Sequence, residues 1–124
     1  HTKRWLKYLK FLIIERGFGT WEKNFASCAY VPPSLRKNYV CGGVIFGGTS
    51  KFFEMSKKLA GMIERDIHSG IIARWHDESY LNHFASFSKV NLLDSNYCFD
   101  ARDLGANNDL AIIVAVEKGD NRTR

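Results

Sequence analysis

The chain has 124 residues, of which 45% are hydrophobic and 25% are charged, and its formal net charge is +5. This composition is ordinary for one globular domain, which at this length buries about two thirds of its unfolded surface. The sequence contains no run of about 20 apolar residues, so we expect no membrane-spanning segment in it.

Much of the positive charge lies at the two ends of the chain. The basic residues concerned are Lys3, Arg4, Lys7, Lys10, Arg122 and Arg124. Such clusters are usually solvated faces, and binding of an anion such as a diphosphate is the functional alternative. No arginine-rich or aromatic-interleaved RNA-binding motif accompanies them, so we expect no nucleic acid partner. Because the first residue is not Met and no signal peptide is visible, we expect the chain to be a piece of a longer protein.

The first half of the chain predicts two helices with a strand between them. Segment 4–15 mixes basic and apolar residues in a pattern typical of an amphipathic helix, and glycines at 17 and 19 end it. Pro32, Pro33 and Ser34 predict a loop, and the apolar run 39–46 predicts a strand. Segment 50–68 is the clearest helix, with Gly70 as its end signal. Its predicted core stripe consists of Phe52, Met55, Leu59, Met62, Ile63 and Ile67.

The second half predicts more strands and one more helix. We expect strands at 71–75, 90–93 and 110–116 and a helix at 78–87. Alternating helices and strands favour an α/β fold with a mixed, mainly parallel sheet covered by helices. Cys28, Cys41 and Cys98 have no CxxC spacing, and we interpret them as mostly buried small hydrophobes.

A polar corner lies between the predicted strand at 71–75 and the helix that follows it. Trp75, His76, Asp77 and Glu78 stand in a row there. The titratable side chains of His76, Asp77 and Glu78 are rarely buried unless they are paired, so they are candidates for contact with a bound molecule. The structural alternative is that Asp77 caps the helix and that the helix dipole favours Glu78. A metal site is not favoured, because His76 and His83 are two helical turns apart, about 10.5 Å, and HExxH is absent.

A glycine-rich segment at 40–49 is the second candidate. It reads Val-Cys-Gly-Gly-Val-Ile-Phe-Gly-Gly-Thr. Glycine within a strand often marks the close approach of a ligand or of another backbone. Thr49 or Ser50 is then placed to cap the next helix. The alternative is a strand that simply ends in a glycine turn.

Together these segments resemble glycosyltransferase family 6, which contains the histo-blood-group A and B transferases, the α-1,3-galactosyltransferases, the Forssman synthase and bacterial relatives. The shared landmarks are Thr20-Trp21-Glu22-Lys23, Ala29-Tyr30-Val31-Pro32, Phe46-Gly47-Gly48-Thr49, Trp75-His76-Asp77-Glu78-Ser79 with Leu81-Asn82, and Tyr97-Cys98. Their order and spacing are similar to the family from 19 to 124. Segment 1–18 does not match it, and Tyr80 stands where many members have His.

The resemblance implies the C-terminal part of a nucleotide-sugar, GT-A-like glycosyltransferase. Such enzymes transfer galactose or N-acetylgalactosamine from a UDP-sugar to a hydroxyl of a glycan or glycolipid in α linkage, with retention of configuration. Retention requires either a covalent intermediate on a carboxylate or a front-face attack that a carboxylate stabilises. The resemblance makes Glu78 that carboxylate. The alternative function is a degenerate, non-catalytic glycan-binding module.

The resemblance also assigns contacts with the substrate. Asp77 would accept hydrogen bonds from donor-sugar hydroxyls, His76 would touch the sugar or the acceptor, and Trp75 would face a sugar ring unless it is a core aromatic. The donor pocket would be lined by Gly42, Gly43 and Val44. The Gly-Gly-small pattern favours N-acetylgalactosamine, although Val44 is bulkier than expected. Lys118 and Arg124 would neutralise the diphosphate unless they form a frayed basic terminus.

Two parts of the family pattern are missing from this chain. The uridine-binding half would precede it, and so would the Asp-x-Asp motif through which members with a metal bind Mn²⁺. Mn²⁺ is therefore implied only through a motif outside this sequence, and we expect the isolated 124 residues to be inactive. The resemblance places a eukaryotic protein in the Golgi lumen, with a membrane anchor that lies outside this chain, and a bacterial one in the cytoplasm.

Overall fold

The structure is a computed structural model, and it describes residues 19–100 and 111–116. Two helices form the framework of these residues. Helix α1 spans Thr49–His68 and helix α2 spans His76–Phe87. Both predicted helices are confirmed, and α2 begins two residues earlier than expected. These helices belong to a first compact unit, whose described residues are 19–42 and 46–90. The predicted helix at 4–15 lies outside the described residues.

The ends of α1 show which local signals act. Gly48 occupies the position before the helix, so the prediction that Thr49 or Ser50 would cap it was wrong. At the other end Gly70 has a φ of +70°, a conformation that glycine adopts without steric cost. Its N–H donates to the Ile67 carbonyl at 3.0 Å, and the Ile71 N–H donates to the Asp66 carbonyl at 2.8 Å. These two bonds form a Schellman motif, and the predicted end signal is confirmed.

The apolar face of α1 packs into the core through its central turns. Met55 and Met62 are buried, and Leu59 and Ile63 are half-buried, as the predicted stripe requires. The outer members of that stripe, Phe52 and Ile67, are exposed, so their assignment to the core was wrong: they lie near the two ends of the helix, beyond its packed central turns. Met62 joins a buried cluster that also contains Ala29, Ala73 and Tyr80. This cluster connects α1, α2 and the loops that precede each of them.

Strands were predicted at 39–46, 71–75 and 90–93, and these predictions were wrong. At positions 40, 74 and 75 the backbone groups bond to side chains instead of to a neighbouring strand. Both the N–H and the C=O of Val40 pair with the Asn82 side-chain amide. The N–H of Arg74 donates to Glu22, and that of Trp75 donates to Ser79. At these three positions side chains therefore take the place of a sheet ladder.

The second compact unit contains the described residues 43–45, 91–100 and 111–116. Strands β1, Phe99–Asp100, and β2, Val114–Ala115, pair in parallel. The predicted strand at 110–116 is thus confirmed only over two residues. The mixed, mainly parallel sheet was predicted from strands that, in the described ranges, mostly do not form, and this one short pair does not establish it.

The three cysteines differ in how far they are exposed. Cys28 and Cys98 are half-buried and Cys41 is exposed, so the expectation of mostly buried cysteines was wrong. The three residues form no disulfide. In the described ranges, none of the helices combines the length and the apolar character needed to cross a bilayer.

Candidate functional site

The polar corner at 75–78 is the start of helix α2. His76 is the first helical residue, and Trp75 occupies the capping position, so the alternative in which Asp77 caps the helix was wrong. The N–H of Trp75 donates to the Ser79 hydroxyl at 3.0 Å, which closes the first turn. Asp77 and Glu78 lie in that turn, where the positive end of the helix dipole favours negative charge.

The corner is exposed and locally strained. Trp75 is 49% exposed, so the alternative in which it is a core aromatic was wrong. His76 has a φ of +45°, a value that costs a residue with a side chain about 1–3 kcal/mol. His76 and Asp77 are also exposed. Strain and open polar side chains at one turn are typical of a functional site.

The carboxylate of Glu78 is held by two donors from the segment 39–42. Its Oε1 accepts from the Tyr39 hydroxyl at 2.7 Å, and its Oε2 accepts from the Gly42 N–H at 2.9 Å. The Glu78 side chain is half-buried. Since each carboxylate oxygen has two acceptor positions, each can accept a second hydrogen bond. The structure therefore brings Glu78 and the first glycine of the glycine-rich segment into direct contact.

Asn82, one helical turn after Glu78, holds the same segment. Its Nδ2 donates to the Val40 carbonyl at 2.8 Å, and its Oδ1 accepts from the Val40 N–H at 2.8 Å. Nδ2 also donates to the Glu78 carbonyl at 2.9 Å. Residues four apart lie on one face of a helix, so Glu78 and Asn82 grip residues 39–42 together. Asn82 is 1% exposed, which makes this clamp part of the buried structure.

Tyr39 is enclosed by the segment 19–21. Its ring meets Trp21 edge to face with the ring centroids 5.2 Å apart, and its hydroxyl accepts from the Thr20 hydroxyl at 3.1 Å. A Cβ at Gly19 would lie 2.2 Å from the Tyr39 ring, so the ring rests directly against the Gly19 backbone. Burial, together with the hydrogen bond to Glu78, raises the pKa of Tyr39 to about 12 even though the Thr20 bond lowers it.

The segment before the corner is fixed by Glu22. Its Oε2 accepts from the Arg74 N–H at 2.6 Å, and its Oε1 accepts from the Asn24 N–H at 2.7 Å. Glu22 is buried, and its carbonyl accepts from the buried Arg36 guanidinium at 3.2 Å. The buried carboxylate therefore positions the residue directly before Trp75.

The predicted site residues fall in both compact units, and two of them lie outside the described residues. Trp75, His76, Asp77 and Glu78 share the start of α2, and Gly42 contacts Glu78. Gly43, which is exposed, and Val44, which is half-buried, belong to the second unit. The predicted diphosphate ligands, at 118 and 124, lie outside the described residues.

Sequence reasoning missed the residues that hold Glu78. Tyr39 was assigned to a predicted strand and Asn82 to a family landmark, and neither was given a role of its own. The spacing of Glu78 and Asn82, four residues apart on a helix, was a usable signal that both face one partner. The partner itself was not visible from the sequence, because contacts between residues about 40 positions apart depend on the fold.

A manganese site does not fit the described residues. No group of three or more His, Cys, Asp or Glu side chains among them is arranged to hold a metal ion. Each oxygen of Glu78 accepts one hydrogen bond, from the Tyr39 hydroxyl and from the Gly42 N–H. We therefore derive no step through a metal from these residues.

Comparisons with known proteins give this geometry a context. A family model described as Glycosyltransferase family 6 matches residues 8–124. A globoside alpha-1,3-N-acetylgalactosaminyltransferase 1 of Gallus gallus is 36% identical over 84 residues, which cover 66% of this chain and 24% of that protein. A histo-blood group ABO system transferase 1 of Rattus norvegicus is 32% identical over 87 residues, 69% of this chain and 25% of that protein. The O-antigen biosynthesis glycosyltransferase WbnI of Escherichia coli is 30% identical over 95 residues, 76% of this chain and 40% of that protein.

The chain belongs to glycosyltransferase family 6, and the predicted family is confirmed. The match begins at residue 8, so it includes part of the segment 1–18 that we set apart from the family. The chain spans about a quarter of the length of the vertebrate relatives that it matches.

Proposed function

We propose that this member of glycosyltransferase family 6 is the C-terminal part of a retaining hexosyltransferase with a GT-A-like fold. The complete protein would transfer galactose or N-acetylgalactosamine from a UDP-sugar to a hydroxyl of a glycan or glycolipid, in α linkage. The names of the chicken and rat relatives, an N-acetylgalactosaminyltransferase and a blood-group transferase, support this substrate class. Segments outside this chain would supply the uridine site and any membrane anchor, so the 124 residues alone would be inactive.

One observation carries the proposal: Glu78 is a half-buried carboxylate fixed at an exposed, strained corner by the Tyr39 hydroxyl and the Gly42 amide. A retaining transfer requires a negative group near the anomeric carbon, either as a nucleophile or as a stabiliser of an oxocarbenium-like state. A carboxylate that is already oriented meets that requirement without reorganising during the reaction. We assign this role to Glu78.

The neighbouring side chains suit contact with a sugar. Asp77 is exposed and lies in the same helical turn, so its carboxylate is available to accept hydrogen bonds from sugar hydroxyls. The exposed ring of Trp75 offers a flat apolar surface to the carbon face of a hexose. His76, held at a positive φ between them, is available to either sugar. We assign Trp75, His76 and Asp77 to donor and acceptor sugar binding.

The choice of donor would depend on the glycine-rich segment. A Cβ at position 42 would lie 3.6 Å from Glu78 Oε2, an ordinary contact distance, so even a small side chain there would touch the carboxylate. The absence of a side chain at Gly42 leaves room for an N-acetyl group, whereas Val44 is bulkier than the family pattern favours, and the Gly-Gly-small pattern leads us to favour N-acetylgalactosamine. By the family resemblance, we also assign Gly43 and Val44 to donor-sugar binding. Lys118 and Arg124, assigned by the family resemblance, would neutralise the diphosphate.

The setting of the reaction follows from the same proposal. The partners would be UDP-galactose or UDP-N-acetylgalactosamine and a glycan acceptor. A eukaryotic protein would work in the Golgi lumen and a bacterial one in the cytoplasm. Metal dependence, where it exists, would reside in the preceding half of the protein.

The test is a Glu78→Gln substitution in the full-length protein, with transfer and glycan binding measured separately. Because glutamine keeps the shape but loses the charge, we expect the transfer rate to fall at least a hundredfold, by about 3 kcal/mol in transition-state stabilisation, while glycan binding persists. The matched control is Glu54→Gln, which removes an exposed carboxylate from α1. The control should transfer at the unmodified rate.

Two results would contradict the proposal. Transfer by Glu78→Gln at the unmodified rate would remove Glu78 from the chemistry. Absence of transfer by the unmodified protein with every UDP-hexose, together with measurable glycan binding, would favour the non-catalytic glycan-binding module instead.

A further inference from the structure

We propose that Tyr39 is a positioning residue, whose hydroxyl sets the orientation of the Glu78 carboxylate. This inference rests on the proposed function of Glu78 and extends it to a residue in a different part of the chain. Tyr39 is 39 positions before Glu78, and its hydroxyl oxygen lies 2.7 Å from Glu78 Oε1. Among the described contacts of Glu78, this is the shortest.

The direction of the hydrogen bonds follows from the donors and acceptors present. An ionised carboxylate only accepts, so the single proton of the Tyr39 hydroxyl points at Glu78. The Thr20 hydroxyl, 3.1 Å from the Tyr39 oxygen, must then donate to it. The chain of bonds therefore runs from Thr20 through Tyr39 to Glu78. The raised pKa of Tyr39, about 12, keeps its proton in place across the physiological range.

The position of the Tyr39 hydroxyl is itself determined by packing. The ring lies against the Gly19 backbone, where any Cβ would overlap it at 2.2 Å, and it meets Trp21 edge to face. Gly19 has a φ of +124°, which a residue with a side chain rarely adopts. Three consecutive residues, Gly19, Thr20 and Trp21, thus form a socket for one tyrosine. The half-buried ring and its hydroxyl are therefore supported on one side by that socket.

Glu78 needs such a support because its side chain has three rotatable torsions. The Gly42 amide fixes Oε2 and the Tyr39 hydroxyl fixes Oε1, so the plane of the carboxylate is defined by both ends. With only the hydrogen bond from the Gly42 N–H, the carboxylate would be free to rotate about that contact. Misplacement of a reacting group by about 1 Å is enough to cost a factor of about 100 in rate. Loss of one of two supports should therefore lower the rate without affecting donor binding.

The experiment is Tyr39→Phe in the full-length transferase, which removes one oxygen and keeps the ring. We expect kcat to fall about tenfold, within the range that small misplacements produce, with KM for the UDP-sugar changed less than about twofold. The matched control is Tyr80→Phe, which removes a tyrosine hydroxyl that donates to a different carboxylate, Asp66. The control should lower the unfolding midpoint and leave kcat unchanged.

A double variant distinguishes this inference from the proposed function. If Tyr39 acts through Glu78, adding Tyr39→Phe to Glu78→Gln should cause no further loss of rate. An unchanged kcat for Tyr39→Phe, beside a large loss of kcat for Glu78→Gln, would overturn the role of Tyr39 and leave the proposed function standing. An equal loss of kcat in Tyr80→Phe would also overturn it, since the effect would then reflect general destabilisation. An unchanged rate for Glu78→Gln would overturn the proposed function first.

Discussion

Two tyrosine–carboxylate pairs in the first unit use the same hydrogen bond in different surroundings. Tyr80 donates to Asp66 at 2.8 Å, and Tyr39 donates to Glu78 at 2.7 Å. Asp66 is 1% exposed, whereas Glu78 is half-buried at an exposed corner. The distances are almost equal, so the bond itself does not distinguish the two pairs.

What distinguishes them is how fully each carboxylate is occupied. Asp66 also accepts from the Ser27 hydroxyl at 2.6 Å and from the Cys28 N–H at 2.8 Å, and it connects α1 to the loop at 27–28. Burial raises the pKa of Asp66, but the bonds from Ser27, Cys28 and Tyr80 outweigh it and hold the pKa below its usual value. Glu78 has two donors and acceptor positions to spare. A buried carboxylate with three donors suits structure, and an oriented, accessible one suits chemistry.

The largest expected effect is on stability, from Asp66→Asn. An amide replaces the charge at which three donors converge, and hydrogen bonds to a buried charge are the strong ones. We expect a loss of about 3 kcal/mol in the free energy of unfolding. Urea denaturation measures it as a lower midpoint at an unchanged slope.

The same substitution tests the contrast between the pairs. The folded fraction of Asp66→Asn at low temperature should transfer sugar with an unchanged kcat, because Asp66 does not reach the corner at 75–78. A loss of kcat as large as that of Glu78→Gln, with little loss of stability, would reverse the roles that we assign to the two carboxylates.

A smaller effect follows from pH. Because the pKa of Asp66 is lowered on folding, its stabilising contribution is complete above the unfolded value of about 3.9 and is lost as the pH falls through the folded value. The difference in stability between the unmodified protein and Asp66→Asn should therefore be constant above pH 5 or so and should shrink below about 4. A difference that stays constant to pH 2 or so would contradict the lowered pKa.

Tyr80→Phe should be milder still. It removes one of three donors to Asp66, and the remaining two still satisfy the carboxylate. Burial and the bond to Asp66 raise the pKa of Tyr80, so the hydroxyl is a neutral donor at all physiological pH values. We expect a loss of about 1–2 kcal/mol in the free energy of unfolding, measured by urea denaturation. A loss of stability as large as that of Asp66→Asn would mean that the bond from Tyr80 accounts for the whole stabilising effect of Asp66.

The sequence predicted the helices better than the strands, for a physical reason. The apolar period of α1 and the glycine at 70 are local signals, and both act as expected. A strand depends on a partner that the local pattern does not name. At Val40 the partner is the side chain of Asn82, so an apolar run with the pattern of a strand is held here without a neighbouring strand.

The two carboxylates show the same limit within the site. Glu78 was found because it stands in a polar row that a core would not tolerate. Asp66 lies on α1 between charged and apolar neighbours, and its sequence context resembles an exposed helix face. Its burial depends on Ser27 and Tyr80, which come from two other segments. Only the fold reveals that it is the more deeply buried of the two.

The smallest expected effect tests how far the support of Glu78 extends. Thr20→Val removes the hydroxyl that donates to Tyr39 and keeps the branched shape of the side chain. Tyr39 still donates to Glu78 but loses the second bond that orients its hydroxyl, so we expect kcat to fall about threefold, near 0.6 kcal/mol, with no change in KM. Steady-state kinetics beside Tyr39→Phe measure this, and in the double variant the loss should equal that of Tyr39→Phe alone. Equal losses from the two single substitutions would shift the positioning role from Tyr39 to Thr20, because the bond to Glu78 would then count for less than the bond that orients it.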